Sequence, residues 1–97
     1  MGVARLRPDE VELVGQWIPE GKGVEADETA KRIEGLVREW LEPVADSSDG
    51  WDRLFKDPSD GRFWERTYPR NHMHGGGPPE LKVVSAEAAR GKYRIEI

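Results

Sequence analysis

The segment YPRNHMHGGGPPEL, residues 68–81, concentrates the side chains of this chain that could support chemistry. His72 and His74 lie two residues apart, directly before a run of three glycines and two prolines. In an extended segment both imidazoles project to one side, where Glu65 could complete a metal site. The glycine amides could instead stabilise an oxyanion or cradle an anion, and the prolines could stiffen a structural corner. These four interpretations imply different functions.

Three of the four interpretations lack necessary partners in the sequence. An HGGG oxyanion motif needs a G-x-S-x-G nucleophile elbow, and no serine of the chain stands in one. An anion cradle of the P-loop type needs G-x-x-x-x-G-K-[ST], which is also missing. Two histidines and a carboxylate lack a fixed fourth ligand position for a metal. A rigid corner is favoured, and a small hydrolase or metal-dependent enzyme centred on His72, His74 and Glu65 is the alternative.

The composition indicates one polar domain, whose acidic balance serves either a basic partner or solubility alone. Its 97 residues suffice for a single domain, 1–97, and the net charge of −4 argues against nucleic acid and favours a basic partner. No cysteine is present, and no segment has a run of apolar residues close to the length of about 20 that a membrane span needs. We therefore expect a cytoplasmic monomer or weak dimer that has no cofactor and does not bind a membrane.

The first half of the chain predicts one strand, one helix and an acidic loop. Alternation over residues 11–18 indicates a strand that Pro19 ends. Asp27 is a good N-cap for an amphipathic helix whose apolar stripe continues to Leu41 and which Pro43 ends. An acidic loop, EPVADSSDG, follows from residue 42 to residue 50.

The second half predicts further strands and a short helix. WDRLFK and RFWERTY flank the turn DPSDG, whose Pro58 and Gly61 suit a β-hairpin. LKVVS follows as a strand, then a short helix with Ser85 as N-cap and Gly91 as C′ residue, then a final strand YRIEI. The order predicts an α+β fold, a mostly antiparallel twisted sheet packed against one long helix, with a short C-terminal helix.

Glu65 and Trp51 stand out against this framework. Whichever face of RFWERTY meets the core, one charged side chain accompanies it, and a buried Glu65 carboxylate would need hydrogen-bond donors. We expect Glu65 to brace the HGGG loop. Trp51 follows the acidic loop directly and is the candidate exposed anchor, since aromatic residues framed by charge are common at protein interfaces.

The segment WERTYPRNHMHGGGPPEL strongly resembles the signature of bacterial immunity protein family 27, in which W-E-x-T-Y-P runs into H-G-G-G-P-P-x-L. LVGQWI, ADETAKRIEGLV, GWDRLFKDPSDGRFWE and AARGKY follow the same order as in that family, so the resemblance spans roughly Leu6 to Tyr93. The family often has a serine where Asn71 stands, which affects local hydrogen bonding alone.

The resemblance implies an inhibitor that acts by binding. Such proteins are encoded beside a polymorphic toxin and protect the producing bacterium by sequestering the toxin's effector domain. The family's characteristic residues, which we expect to be structural here, are Trp64, Glu65, Tyr68, Pro69, His74, Gly75, Gly76, Gly77, Pro78 and Pro79.

The net charge suits a cationic, nuclease-like toxin, because acidic side chains can mimic phosphates and speed the encounter. The candidate toxin-binding residues lie in and just after the acidic loop: Glu42, Asp46, Asp49, Trp51 and Asp52. A generic adaptor without a toxin partner is a third possibility.

Overall fold

The computed structural model describes residues 3–20, 23–70 and 77–96. Within these ranges the chain forms strands β1 (Glu12–Val14), β2 (Trp17–Glu20), β3 (Gly23–Ala26), β4 (Glu42–Asp46), β5 (Arg53–Lys56), β6 (Phe63–Thr67) and β7 (Glu80–Val84), and helices α1 (Glu28–Glu39) and α2 (Ala86–Tyr93).

Five strands form one antiparallel sheet in the order β1-β7-β6-β5-β4, and β2 and β3 form a separate two-stranded sheet. This confirms the predicted α+β class with an antiparallel sheet. The predicted long helix is matched in part, because α1 has 12 residues, close to the average for globular proteins.

The sheet carries a hydrophobic cluster on each face. On one face the buried Ile33 and Leu36 of α1 pack with the fully buried Trp64 of β6. On the other face Ala89 and Tyr93 of α2 pack against Leu54 of β5. Since neighbouring residues of a strand point to opposite faces, Trp64 lies on the α1 side and Glu65 on the α2 side.

The predicted first strand is interrupted, which corrects its assignment. β1 pairs with β7, whereas β2 pairs with β3, and the break falls at Gly15. The Gly15 N–H donates to the Pro79 carbonyl at 2.9 Å, and a Cβ at this position would lie 2.7 Å from that oxygen. Pro19 does not end a strand, because it pairs with Val24 in the small sheet, where every strand is an edge.

The helix α1 begins as predicted and ends earlier than predicted. The Asp27 side chain caps it by accepting a hydrogen bond from the Ala30 N–H at 2.7 Å. Trp40 is the C-cap residue, so the helix ends before Leu41 and Pro43. The predicted acidic loop is also shorter, because Glu42–Asp46 forms the edge strand β4, in which Pro43 is tolerated.

The hairpin of β5 and β6 is confirmed, with Leu54 opposite Glu65. The buried carboxylate of Asp57 accepts hydrogen bonds from the Ser59 N–H at 2.8 Å and the Ser59 hydroxyl at 2.7 Å, which fixes the turn. Gly61 has a positive φ of +77°, which suits its place in this turn.

Helix α2 extends further than the sequence predicts. Ser85 is the N-cap as expected, but the helix continues through Gly91 to Tyr93, and Arg94 caps it in the left-handed conformation. Ala89 and Tyr93 are four residues apart, so both reach the sheet if the chain stays helical. The predicted final strand YRIEI is therefore wrong over the residues that the structure describes.

Candidate interaction surface

One end of the five-stranded sheet collects several predicted site residues. We call it the loop end, the end at which β4 joins β5 and β6 joins β7. Antiparallel pairing brings these two connections together there, along with Gly15 and Gln16 at the end of β1. Glu42 lies at the far end of β4, opposite Lys56, so the structure separates it from Asp46, Asp49, Trp51 and Asp52.

The β4–β5 turn, residues 47–52, is held by its own hydrogen bonds. The Ser47 N–H donates to the Asp52 carbonyl at 2.8 Å, and Gly50 adopts a φ of +80°. The Asp49 carboxylate accepts hydrogen bonds from the Ser47 hydroxyl at 2.6 Å and the Trp51 N–H at 2.9 Å. These bonds lower the pKa of Asp49 below its usual value and fix the backbone that presents Trp51.

Trp51 is the exposed aromatic residue of the loop end. The residue remains 44% exposed, although its ring packs edge-on against Tyr68 with centroids 5.8 Å apart. The Arg66 guanidinium lies 4.8 Å from the centroid of the Tyr68 ring. A tryptophan supported by a second aromatic ring and a cation is a typical anchor for a protein partner, because it offers a large apolar area at low conformational cost.

The carboxylates of Asp46 and Asp52 are engaged within the protein. Asp46 accepts from Arg53 at 2.6 Å, and this hydrogen bond lowers the pKa of Asp46. Asp52 accepts from the Lys92 ammonium at 2.7 Å. Asp49 makes no ion pair with another residue in the described ranges. Of the three aspartates, Asp49 thus keeps the least compensated charge.

Glu65 lies in a polar cluster with α2. Its carboxylate accepts a hydrogen bond from the Tyr93 hydroxyl at 2.8 Å and contacts the Lys92 ammonium at 2.6 Å, and its side chain is 14% exposed. Burial and the bond to Glu65 raise the pKa of Tyr93. Burial acts to lower the pKa of Lys92, but its hydrogen bonds to Asp52 and Glu65 outweigh burial and raise it.

The bracing of the HGGG loop by Glu65 stays a prediction, because His72, His74, Gly75 and Gly76 lie outside the described residues. The donors that the structure does supply to Glu65 come from helix α2. This carboxylate, the third ligand of the alternative metal site, is thus already engaged. Within the described ranges, no group of three or more histidine or acidic side chains is arranged to hold a metal.

The base of the HGGG loop is tightly packed. Gly77 has a φ of +77°, and a Cβ there would overlap the Arg70 carbonyl oxygen. The Arg70 guanidinium donates to the Gly15 carbonyl at 2.8 Å and to the Gln16 side chain at 3.0 Å. Pro78 and Pro79 are fully buried, whereas Pro69 is exposed. Both ends of the loop are therefore fixed to the sheet.

Sequence reasoning missed four participants at this end of the molecule: Arg66, Arg70, Lys92 and Tyr93. The alternation of β6 carries a signal for the first, because it places Arg66 and Tyr68 on one face of the strand. The contacts of Arg70 with Gly15 and Gln16 join residues more than fifty positions apart, and no local pattern indicates them.

No helix in the described part of the chain is long and apolar enough to cross a membrane.

Comparison with known proteins identifies the family. The family model described as Immunity protein 27 matches residues 19–85, more than half of the chain. This span includes Trp51, Tyr68, Glu65 and the whole of the HGGG segment. Neither the curated proteins nor the solved structures gave a match. The protein belongs to the immunity protein 27 family.

Proposed function

We propose that this protein protects the bacterium that produces it by binding a cognate toxin in a stoichiometric complex. The observation that carries the proposal is the exposed Trp51 at the loop end, packed against Tyr68 and held by the Asp49 turn. A side chain of this size, fixed in position before binding, contributes apolar contact without much loss of conformational freedom. Membership of an immunity protein family supports the same function.

Inhibition by binding needs no catalytic group, so the fold has to present a rigid surface. Hydrogen bonds fix the β4–β5 turn, and hydrogen bonds together with the buried Pro78 and Pro79 fix the base of the HGGG loop. We assign the HGGG segment the role of a structural corner that holds the loop end in shape. The toxin contact is made by Trp51, Tyr68 and the carboxylate of Asp49.

The toxin is basic, a nuclease-like domain in this proposal. The net charge of −4 speeds the approach of a cationic partner, while the fixed carboxylate of Asp49 meets a basic side chain in the complex. Asp46 and Asp52 contribute to the field although each also pairs with a cation of its own chain.

Titration of the purified protein with the C-terminal toxin domain encoded by the neighbouring gene tests this function. We expect a one-to-one complex, loss of toxin activity at one equivalent, and an association rate that falls as salt rises, because charge steers the encounter. Toxin activity that persists with excess immunity protein would contradict the function. An association rate independent of salt would contradict the basic nature of the toxin.

A further inference from the structure

A surface cavity of about 350 Å³ opens at the C-terminal end of helix α2. Asp46, Ser48, Lys92, Tyr93 and Arg94 line it. Ser48 belongs to the β4–β5 turn that also carries Trp51, so the cavity adjoins the loop-end surface.

The charges around this cavity are paired, with one exception. Asp46 pairs with Arg53, and the Lys92 ammonium contacts both Asp52 and Glu65. The side chain of Arg94 is exposed and makes no hydrogen bond or ion pair with any residue in the described ranges. The lining of the cavity thus includes one arginine whose charge is not compensated by another described residue.

Arg94 also occupies a backbone position that favours glycine. Its φ of 54° and ψ of 46° are left-handed, and it is the one residue other than glycine with positive φ in the part of the chain that the structure describes. A side chain with a Cβ is strained there, and helices commonly place glycine at such a position. Residues with strained backbone angles cluster at binding and catalytic sites, which makes Arg94 a candidate for binding.

The position of Arg94 in the chain suits a role in selecting among toxins. It lies beyond residues 19–85, the span that the family model matches. A contact outside the matched span can distinguish one toxin from another.

We propose that Arg94 and the adjoining cavity form a specificity pocket that receives an aspartate or glutamate side chain of the toxin. This inference rests on the proposed function and names one contact within it. The planar guanidinium donates two parallel hydrogen bonds to the carboxylate, and the Ser48 hydroxyl at the rim is a further donor. The net negative charge of the protein attracts a basic toxin, while the pocket selects toxins that carry a carboxylate at one fixed place.

The test compares Arg94→Gly with Arg94→Lys in two measurements, thermal unfolding and affinity for the C-terminal domain encoded by the neighbouring toxin gene. Glycine relieves the backbone strain and removes the guanidinium. We therefore expect Arg94→Gly to raise the melting temperature by about 2–5 °C and to weaken toxin binding at least about tenfold.

Arg94→Lys separates charge from backbone strain. It keeps the strain and one positive charge but loses the planar fork, so we expect an unchanged melting temperature and an affinity between those of wild type and Arg94→Gly. If Arg94→Gly binds the toxin as tightly as wild type does, the specificity pocket is overturned and the proposed function is not. A lower melting temperature in Arg94→Gly would also overturn it, because the arginine would then be structural. A wild-type protein that fails to bind the toxin would overturn the proposed function as well.

Discussion

At the scale of single residues, Glu10 and Arg32 make the best-defined ion pair of the described structure. The two guanidinium Nη atoms donate to the two carboxylate oxygens, each at 2.7 Å, and the Glu10 side chain is 9% exposed. Arg32 also donates to the carbonyls of Ala4 and Arg5, so the pair fastens the N-terminal segment to α1. The hydrogen bond from Arg32 lowers the pKa of Glu10 from 4.5 to about 2.

Folding lowers this pKa, so the Glu10 carboxylate makes its full contribution to the stability of the folded protein above pH 4.5. That contribution is lost as the pH falls toward 2. Glu10→Gln should reduce the free energy of unfolding by about 1–2 kcal/mol at pH 6. The difference in the free energy of unfolding between Glu10→Gln and wild type should shrink as the pH falls from 4.5 toward 2. Urea unfolding of both proteins from pH 6 to pH 2.5 measures it, and a difference that does not vary with pH would contradict the assignment.

Gly77 is the residue whose replacement should damage the HGGG corner most directly. Gly77→Ala introduces a Cβ that overlaps the Arg70 carbonyl at a left-handed φ. We expect a loss of about 2–4 kcal/mol in the free energy of unfolding. Gly91→Ala is the matched control, since Gly91 lies in α2 with nothing within 4 Å of the Cβ that alanine would add, and should be neutral or stabilising. Equal denaturation midpoints for the two variants would refute the tight packing of the corner.

At the scale of secondary structure, α2 depends on a few contacts with the sheet. Besides Ala89 and Tyr93 in the apolar cluster, its attachment includes polar contacts of Tyr93 with Glu65 and of Lys92 with Glu65 and Asp52. The eight-residue helix has little apolar area of its own to bury. Removing the Glu65 carboxylate should therefore loosen the helix as a unit.

Glu65→Ala should lower the melting temperature by about 4–8 °C, because it removes one charge-assisted hydrogen bond and an ion pair. Amide hydrogen exchange should rise mainly in residues 86–93, and Tyr93→Phe should show the same pattern to a smaller degree. Faster exchange confined to residues 71–77 would instead support the bracing of the HGGG loop by Glu65. An unchanged melting curve would contradict both roles.

The elements that the sequence predicts correctly are those with local causes. The Asp27 and Ser85 caps and the DPSDG hairpin depend on residues within four or five positions of each other. The interruption at Gly15 depends on Pro79, far along the chain, and the extension of α2 depends on the sheet that Tyr93 packs against. Such contacts leave no local pattern, so the errors fall at these places.

The candidate surface was predictable in part for the same reason. Trp51 beside acidic residues is visible in the sequence, and the structure places it at the surface with Tyr68. The internal pairing of Asp46 and Asp52 and the distance of Glu42 from them follow from strand register, which the sequence does not reveal.

At the scale of the whole molecule, the hydrophobic core is separate from the loop end, where we propose that the toxin binds. Each face is covered by a helix, and the core residues Trp64, Phe55 and Leu36 are fully or almost fully buried. The β4–β5 turn at the loop end lies outside this core, so a partner can bind there without disturbing it. We therefore propose that the toxin contacts the loop end through Trp51.

The most direct test of this claim is the affinity of Trp51→Ala for the toxin domain, compared with Val11→Ala. Val11 is a matched control because it is 62% exposed and pairs with Val83 at the opposite end of the sheet. We predict that Trp51→Ala weakens binding at least about 30-fold while Val11→Ala changes it less than about threefold. Wild-type affinity in Trp51→Ala, or an equal loss in the two variants, would contradict the account.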